Sequence, residues 1–121
     1  MPNKENLEYV KSKARNTKRR NSNCMGTAFY LVGEQKNDVS IGRDKSLEML
    51  SVLEDSEAPE EGNIVYWRNN GYLIHAGVVF DKDSLTMVHR SEKKGILETS
   101  SIERLNSYFG PGKYKVPNKF S

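Results

Sequence analysis

Two apolar segments separated by turn residues constrain the fold of this chain most strongly. Residues 72–80 and 85–90 both have the composition of β-strands, and Asp81-Lys82-Asp83-Ser84 between them is typical of a tight turn. Strands this close in sequence pair antiparallel. The pattern therefore predicts a β-hairpin, which any fold proposed for the chain has to contain.

The register of this hairpin decides which side chains meet. A three-residue loop centred on Lys82 pairs Val79 with Leu85 and Gly77 with Met87, and it places His75 directly opposite His89. The two histidines are the only ones in the chain. We therefore expect their rings to be cross-strand neighbours on one face of the sheet.

Helical patterns come before the hairpin and strands surround it. The polar first half of the chain predicts helices, and the segment after Gly62 predicts an antiparallel meander. This order indicates an α+β fold in one domain over residues 1–121, with residues 1–23 as a basic N-terminal helix and loop. The predicted helices cover 4–15, 24–32, 45–54 and 101–108, and the further strands cover 64–67, 96–98 and 114–116.

Composition narrows the class of protein. One cysteine among 121 residues excludes an intrachain disulfide, and no apolar run approaches the length of a membrane span. The first residues lack the apolar core of a secretory signal, so we expect a cytoplasmic protein or export by a non-classical route. Residues 1–23 hold seven basic and two acidic side chains, densest at Lys18-Arg19-Arg20, which predicts an anionic partner near this arm.

The lone cysteine begins a predicted helix, and this position suits a nucleophile. Helix N-terminal amides stabilise a thiolate, and a nearby imidazole stabilises it further. Gly77 leaves space on the histidine face, so we expect the slim first turn of this helix to dock there. Cys24 would then attack a carbonyl, His75 would accept and return the proton, and His89 would orient His75.

Two alternatives remain open at this point. A single cysteine in a helix is more often a small buried hydrophobic residue, and a histidine in a strand is more often a packed one. Cys24, His75 and His89 are also three plausible zinc ligands. No further cysteine or recognisable acidic ligand accompanies them, so we expect neither a metal nor a cofactor.

Four short motifs resemble those of the NlpC/p60 papain-like cysteine peptidases. They are Asn23-Cys24-Met25-Gly26 at a helix start, Gly62-Asn63-Ile64-Val65-Tyr66-Trp67, His75-Ala76-Gly77-Val78-Val79 and Val88-His89-Arg90-Ser91. The resemblance runs from about residue 4 to residue 117. It implies a papain-like fold in which the nucleophile helix packs on the antiparallel meander.

The resemblance also implies an activity. Such enzymes hydrolyse amide bonds in peptidoglycan stem peptides through an acyl-enzyme, with Cys24 as nucleophile, His75 as base and His89 as third member. Asn23, Met25 and Trp67 are the implied substrate contacts, although Asn23 and Met25 replace the usual Asp and Ser. The usual oxyanion-assisting tyrosine is absent from residues 16–23, which leaves Tyr9 and Tyr30 as candidates.

Two rival functions differ in class from a peptidase. One is a catalytically inactive or regulatory binding domain that uses the basic arm, and the other is a thiol-dependent acyltransferase on the same fold. We expect a monomer that acts on a peptide or a peptidoglycan fragment, and we favour such a substrate over nucleic acid.

Overall fold

The computed structural model describes residues 4–17, 22–91 and 97–120 and shows a mixed α+β protein with an antiparallel sheet. The elements lie close to the predicted positions: three helices come first, and the strands follow with a fourth helix before the last strand. The helices are α1 (Lys4–Asn16), α2 (Cys24–Leu31), α3 (Arg43–Ser51) and α4 (Ile102–Phe109), followed by a 3₁₀ turn at Asn118–Phe120. The strands are β1 (Glu54–Ser56), β2 (Ile64–Asn69), β3 (Tyr72–Asp81), β4 (Thr86–Arg90), β5 (Leu97–Ser101) and β6 (Lys113–Val116).

Four consecutive strands of the sheet form a meander, and the strands at the other edge are not consecutive in the chain. The strand order is β1-β6-β2-β3-β4-β5, so the predicted meander holds from β2 to β5, while β6 returns after α4 to pair with β2. Strand β1 was not predicted, because its residues belong to segments assigned to a helix end and an acidic loop. It pairs with β6 through backbone groups, and its side chains are largely exposed.

The two faces of the sheet carry different helices. Helices α1, α2 and α3 share one core cluster with Ala76, Val78 and Val88. On the opposite face, Ile102 at the start of α4 packs with Trp67, Val79 and Met87. Strand alternation therefore separates the neighbours of α2 from those of α4.

This arrangement corrects the predicted docking of α2. Gly77 and His89 lie on the α4 face, whereas the body of α2 covers the face with Ala76 and Val78. The space at Gly77 is filled from β4, because a Cβ there would lie 2.9 Å from Met87 Sδ and 3.0 Å from His89 Cβ. Gly77 thus permits close packing against β4 and not against the helix.

The hairpin register differs from the predicted one by two residues. Val78 pairs with Val88 and Val79 with Met87, so Gly77 and not His75 faces His89 across the strands. The turn is longer than expected because Asp81 Oδ1 accepts hydrogen bonds from the amides of Asp83 and Ser84. A shift of two residues leaves every side chain on its original face, so the histidines remain diagonal neighbours.

A buried ion pair fixes α2 against β4. Arg90 is 1% exposed, its Nη2 donates to Asp38 at 2.5 Å, and its Nε donates to Thr27 Oγ1 at 2.6 Å. Thr27 in turn donates to Asp38 Oδ1 at 2.7 Å, and Thr17 donates to the other carboxylate oxygen. One carboxylate therefore connects the end of α1, the middle of α2 and the last residue of β4.

Asp38 is expected to stabilise the fold at neutral pH. Burial disfavours its charge, but hydrogen bonds from Thr17, Thr27, Ser22 and Arg90 outweigh burial and lower its pKa below 3.8. A lowered carboxyl pKa gives stability that is present above the unfolded value of about 3.9 and is lost as the pH falls through the folded value. In urea unfolding at neutral pH, Asp38→Ala should lower the free energy of unfolding by about 3–5 kcal/mol, because the buried guanidinium of Arg90 loses its carboxylate partner.

Glu8→Gln is the matched control for Asp38→Ala. Glu8 forms an exposed ion pair with Lys11 at 3.8 Å, and such pairs contribute about 0–1 kcal/mol. Equal losses in the two variants would show that the buried network does not carry the stability assigned to it.

Candidate active site

Cys24 is the first residue of α2, and the residue before it caps the helix. Asn23 has extended backbone geometry and its Oδ1 accepts the amide of Gly26 at 2.8 Å. The cysteine forms no disulfide and is 7% exposed. It therefore lies where the positive end of the helix dipole favours a thiolate.

Asn23 also holds the loop that follows α2. Its Nδ2 donates to the carbonyl of Ile41 at 2.7 Å, and its Oδ1 accepts the amide of Ile41 at 3.2 Å. Gln35 supports the same loop by donating from Nε2 to the carbonyls of Gly26 and Val39. The Asn23 side chain is thus used for capping and loop attachment, which gives it a structural role beside the predicted contact with substrate.

A cavity of about 620 Å³ opens beside Cys24. Arg43 is the charged residue among the described residues around it, and its guanidinium lies 5.4 Å from the centre of the Tyr72 ring. Met25 contributes an apolar wall, as expected of a predicted substrate contact. The lining residues are Asn23, Cys24, Met25, Ile41, Arg43, Ser46, Tyr72, Leu73 and Ile74.

The cavity reaches β3 at an irregularity of the strand. Trp67 pairs with His75 and Arg68 pairs with Leu73, so Ile74 is an extra residue between them. Leu73 belongs to the cluster that contains α2, whereas Ile74 packs with the cluster on the α4 face. Residues that pack on opposite faces of the sheet thus border the cavity beside Cys24. These two residues, Leu73 and Ile74, directly precede His75 in the chain.

The two histidines are brought together. His75 Nε2 and His89 Nδ1 are 2.8 Å apart, and the rings meet edge to face with centroids separated by 4.9 Å. His75 is 8% exposed and His89 is 7% exposed. The predicted contact therefore forms, although it is diagonal rather than directly across the strands.

His89 has a second set of neighbours on β5. Its Nε2 lies 2.7 Å from Ser100 Oγ and 3.8 Å from Glu98 Oε2. Burial and then the charge of His75 lower the pKa of His89 from 6.5 to about 4. The ring is therefore neutral at neutral pH, so one of its two hydrogen-bonded nitrogens carries the proton and the other has a lone pair.

Trp67 supports His75 and does not line the cavity. It is 1% exposed, its ring stacks on His75 with centroids 6.3 Å apart, and its Nε1 donates to Asn106 Oδ1 at 3.0 Å. Asn106 Oδ1 also accepts the amide of Gly112 at 2.9 Å, which holds the loop after α4 against the indole. Trp67 therefore packs behind the imidazole, and its contact with substrate stays a prediction.

Neither tyrosine predicted to assist an oxyanion lies at this end of α2. Tyr9 packs edge to face with Phe120, and its hydroxyl comes next to Gly33, after the C-terminal end of α2. Tyr30 is in the last turn of α2, under Lys13. Tyr72 borders the cavity instead, a position that depends on the fold and that the sequence did not reveal.

Three sequence expectations concern features other than this cavity. Among the described residues no group of three or more His, Cys, Asp or Glu is arranged to hold a metal ion, so the zinc alternative gains no support. No helix in the described ranges is both long and apolar enough to cross a membrane. Lys18, Arg19 and Arg20, the densest part of the predicted basic arm, lie outside the described residues.

The chain matches no protein-family model, and no curated protein is significantly similar to it in sequence.

The lowered pKa of His89 predicts a loss of stability in mild acid. The unfolded chain binds a proton at His89 near the ordinary pKa of 6.5, whereas the folded protein binds it only near about 4. The free energy of unfolding should therefore decrease as the pH falls from about 6.5 to about 4, by up to about 3 kcal/mol from this group.

The measurement is urea unfolding of the wild type and of His89→Gln at several pH values across this window. The glutamine variant should lose less stability than the wild type, because it lacks the titrating ring, while the carboxylates titrate in both. Parallel pH dependences would contradict the assignment of a neutral, buried His89.

Proposed function

We propose that the protein is a cysteine hydrolase that cleaves an amide bond, with Cys24 as nucleophile, His75 as general base and His89 as the orienting residue. The observation that carries the proposal is the buried 2.8 Å contact between His75 Nε2 and His89 Nδ1. This contact occupies one nitrogen of His75 and leaves Nδ1 as the atom for proton transfer. The helix-start cysteine beside the cavity completes the set.

The proposed reaction has two steps. His75 Nδ1 takes the thiol proton while the sulfur attacks the carbonyl carbon, and the resulting imidazolium then protonates the departing amine. Water, deprotonated by the same nitrogen, attacks the acyl-enzyme and releases the acid and the thiol. His89 accepts a hydrogen bond from His75 Nε2–H throughout and so holds the ring in one orientation.

The fold proposed here is papain-like, with the nucleophile helix on an antiparallel sheet. Support comes from the cavity, which is lined by Cys24 of α2 and by Leu73 and the extra residue Ile74 of β3. We expect the thiol on the α2 side to approach the imidazole on the α4 side at this irregularity. The motif resemblance described above favours peptidoglycan stem peptides as the substrate.

The direct test is a comparison of wild-type protein with Cys24→Ala on purified peptidoglycan fragments, analysed by mass spectrometry for new termini. Cleavage by the wild type alone supports the proposal. Acyl transfer to an added amine that exceeds hydrolysis would indicate the acyltransferase, and a failure of the wild type to act on any amide or acyl donor would indicate the inactive binding domain.

The roles of the two histidines predict an order of activities. Cys24→Ala and His75→Ala should abolish turnover, because no other group carries out either step. His89→Ala should reduce turnover by a factor of up to about 10⁴, the cost of a wrong tautomer in a comparable triad, and His89→Asn or His89→Gln should recover part of it. Turnover is measured as kcat, with folding checked by circular dichroism.

Iodoacetamide labelling of Cys24 gives a test that needs no substrate. Labelling should be fast near neutral pH in the wild type and slower in His75→Ala, because the imidazole stabilises the thiolate. Labelling that occurs only after unfolding would mean that Cys24 is an inert core residue. Full activity of His89→Ala would show that the ring contact is not used.

Arg43 predicts a preference for substrates with a free carboxylate near the cleaved bond. It is the charged lining residue, and stacking on Tyr72 restricts its guanidinium to the mouth of the cavity. Arg43→Gln should raise KM about tenfold for a carboxylate-bearing peptide and leave the KM of its amidated analogue nearly unchanged.

Lys45→Gln is the control for Arg43→Gln. Lys45 lies on the same helix and pairs with Glu48 at the surface, so its loss removes the same charge without touching the cavity. If both variants raise KM alike, the effect is long-range attraction, which added salt would also weaken.

A further inference from the structure

His89 makes a polar contact at each ring nitrogen, and only one of these contacts was anticipated. Nδ1 lies 2.8 Å from His75 Nε2, and Nε2 lies 2.7 Å from Ser100 Oγ. Ser100 is on β5, one strand beyond His89, and is diagonal to it because Glu98 occupies the directly opposed position. A chain of three side chains thus runs across three neighbouring strands.

The hydroxyl of Ser100 can donate or accept, so the 2.7 Å distance between Ser100 Oγ and His89 Nε2 does not by itself show which of the two atoms donates the proton. Glu98 settles the direction, because its Oε2 lies 3.8 Å from the same nitrogen. An ionised carboxylate attracts an N–H and repels a lone pair. Both neighbours on β5 are therefore satisfied when Nε2 of His89 carries the proton and donates it to Ser100 Oγ.

The direction of the hydrogen bond at His89 Nε2 fixes the direction of the hydrogen bond at His89 Nδ1. A neutral His89 with its proton on Nε2 has a lone pair on Nδ1, which accepts a hydrogen bond from His75 Nε2–H. The lone pair of neutral His75 is then on Nδ1, the atom that has to take the thiol proton. The opposite arrangement would place a proton on His75 Nδ1 and block this step.

We propose that Ser100 is a positioning residue: with Glu98 favouring an N–H at His89 Nε2, Ser100 accepts that hydrogen bond, holds His89 in the Nε2–H tautomer and thereby makes His75 Nδ1 the basic nitrogen of the site. Ser100 touches neither substrate nor sulfur, and it acts through His89. The inference rests on the proposed function for its consequence in catalysis. The tautomers themselves are a property of the folded protein and are measurable whether or not it turns over a substrate.

The experiment is histidine side-chain NMR of the ¹⁵N-labelled Cys24→Ala protein near neutral pH, where no thiol competes for the proton. Long-range ¹H–¹⁵N spectra distinguish protonated from unprotonated ring nitrogens. We expect a protonated Nε2 and an unprotonated Nδ1 in both His75 and His89. A protonated Nδ1 in His89 overturns the inference, and this outcome requires no variant of Ser100.

Variants on β5 then measure how much the Ser100 hydroxyl contributes to the tautomer of His89. In the Cys24→Ala background, Ser100→Ala should leave a mixture of the two tautomers in His89, because Glu98 at 3.8 Å is too far for a hydrogen bond and favours the Nε2–H form only weakly. Adding Glu98→Leu should remove that remaining preference. Thr99→Ala is the matched control, since Thr99 is exposed and points to the other face, and it should leave the tautomers unchanged. A unique Nε2–H tautomer in the Ser100→Ala, Glu98→Leu protein would overturn the role of Ser100.

With Cys24 present, Ser100→Ala should slow iodoacetamide labelling and lower kcat about tenfold with KM nearly unchanged, the effect of one hydrogen bond in rate terms. Ser100→Thr keeps a hydroxyl and should restore most of the rate. Unchanged rates in Ser100→Ala count against the inference. If the NMR spectra show the expected tautomers but the protein cleaves no amide, the proposed function is wrong and the assignment of Ser100 stands.

Discussion

The buried pair of Arg90 and Asp38 is the contact on which the arrangement of the site depends. It joins the last residue of β4 to the loop after α2, and Thr27 links both partners to the helix itself. Removing one member of such a pair leaves an uncompensated charge in the interior, so the connection tolerates little displacement. Because His89 is the neighbour of Arg90 in β4, this one strand sets both the position of α2 and that of the histidine pair.

Strand alternation sends these two neighbours to opposite faces, which creates a geometric problem for the proposed chemistry. Arg90 meets α2 on one face, while His89 and His75 lie on the other, against Trp67. The extra residue Ile74 offers the solution, because a bulge interrupts the alternation where β3 begins. The cavity beside the first residue of α2 is lined there by Leu73, which packs on one face of the sheet, and by Ile74, which packs on the other.

The sequence predicts the elements better than their packing. The start of α2 at Cys24, the hairpin and the shared face of the histidines follow from local residue chemistry and from the alternation of side chains along a strand. The choice of face for α2 does not, because Ala76 and Val78 on one side and Gly77 and Val79 on the other are equally apolar. The turn register depends on side-chain hydrogen bonds, and β1 pairs through its backbone. Ser100 lies beside His89 only because of the β4–β5 register, which no local pattern in the sequence encodes.

A neutral third member suits the surroundings of this site better than a carboxylate. The thiolate and the imidazolium of His75 would balance each other, so His89 adds no net charge to a region bounded by Trp67 and Met87. A buried carboxylate in its place would have to be desolvated, at a cost of several kcal/mol. The hydrogen-bond chain instead ends at the uncharged Ser100, and Glu98, a charged neighbour of His89 among the described residues, is partly exposed. In the proposed mechanism the charges would thus be confined to the sulfur and the nitrogen between which the proton moves.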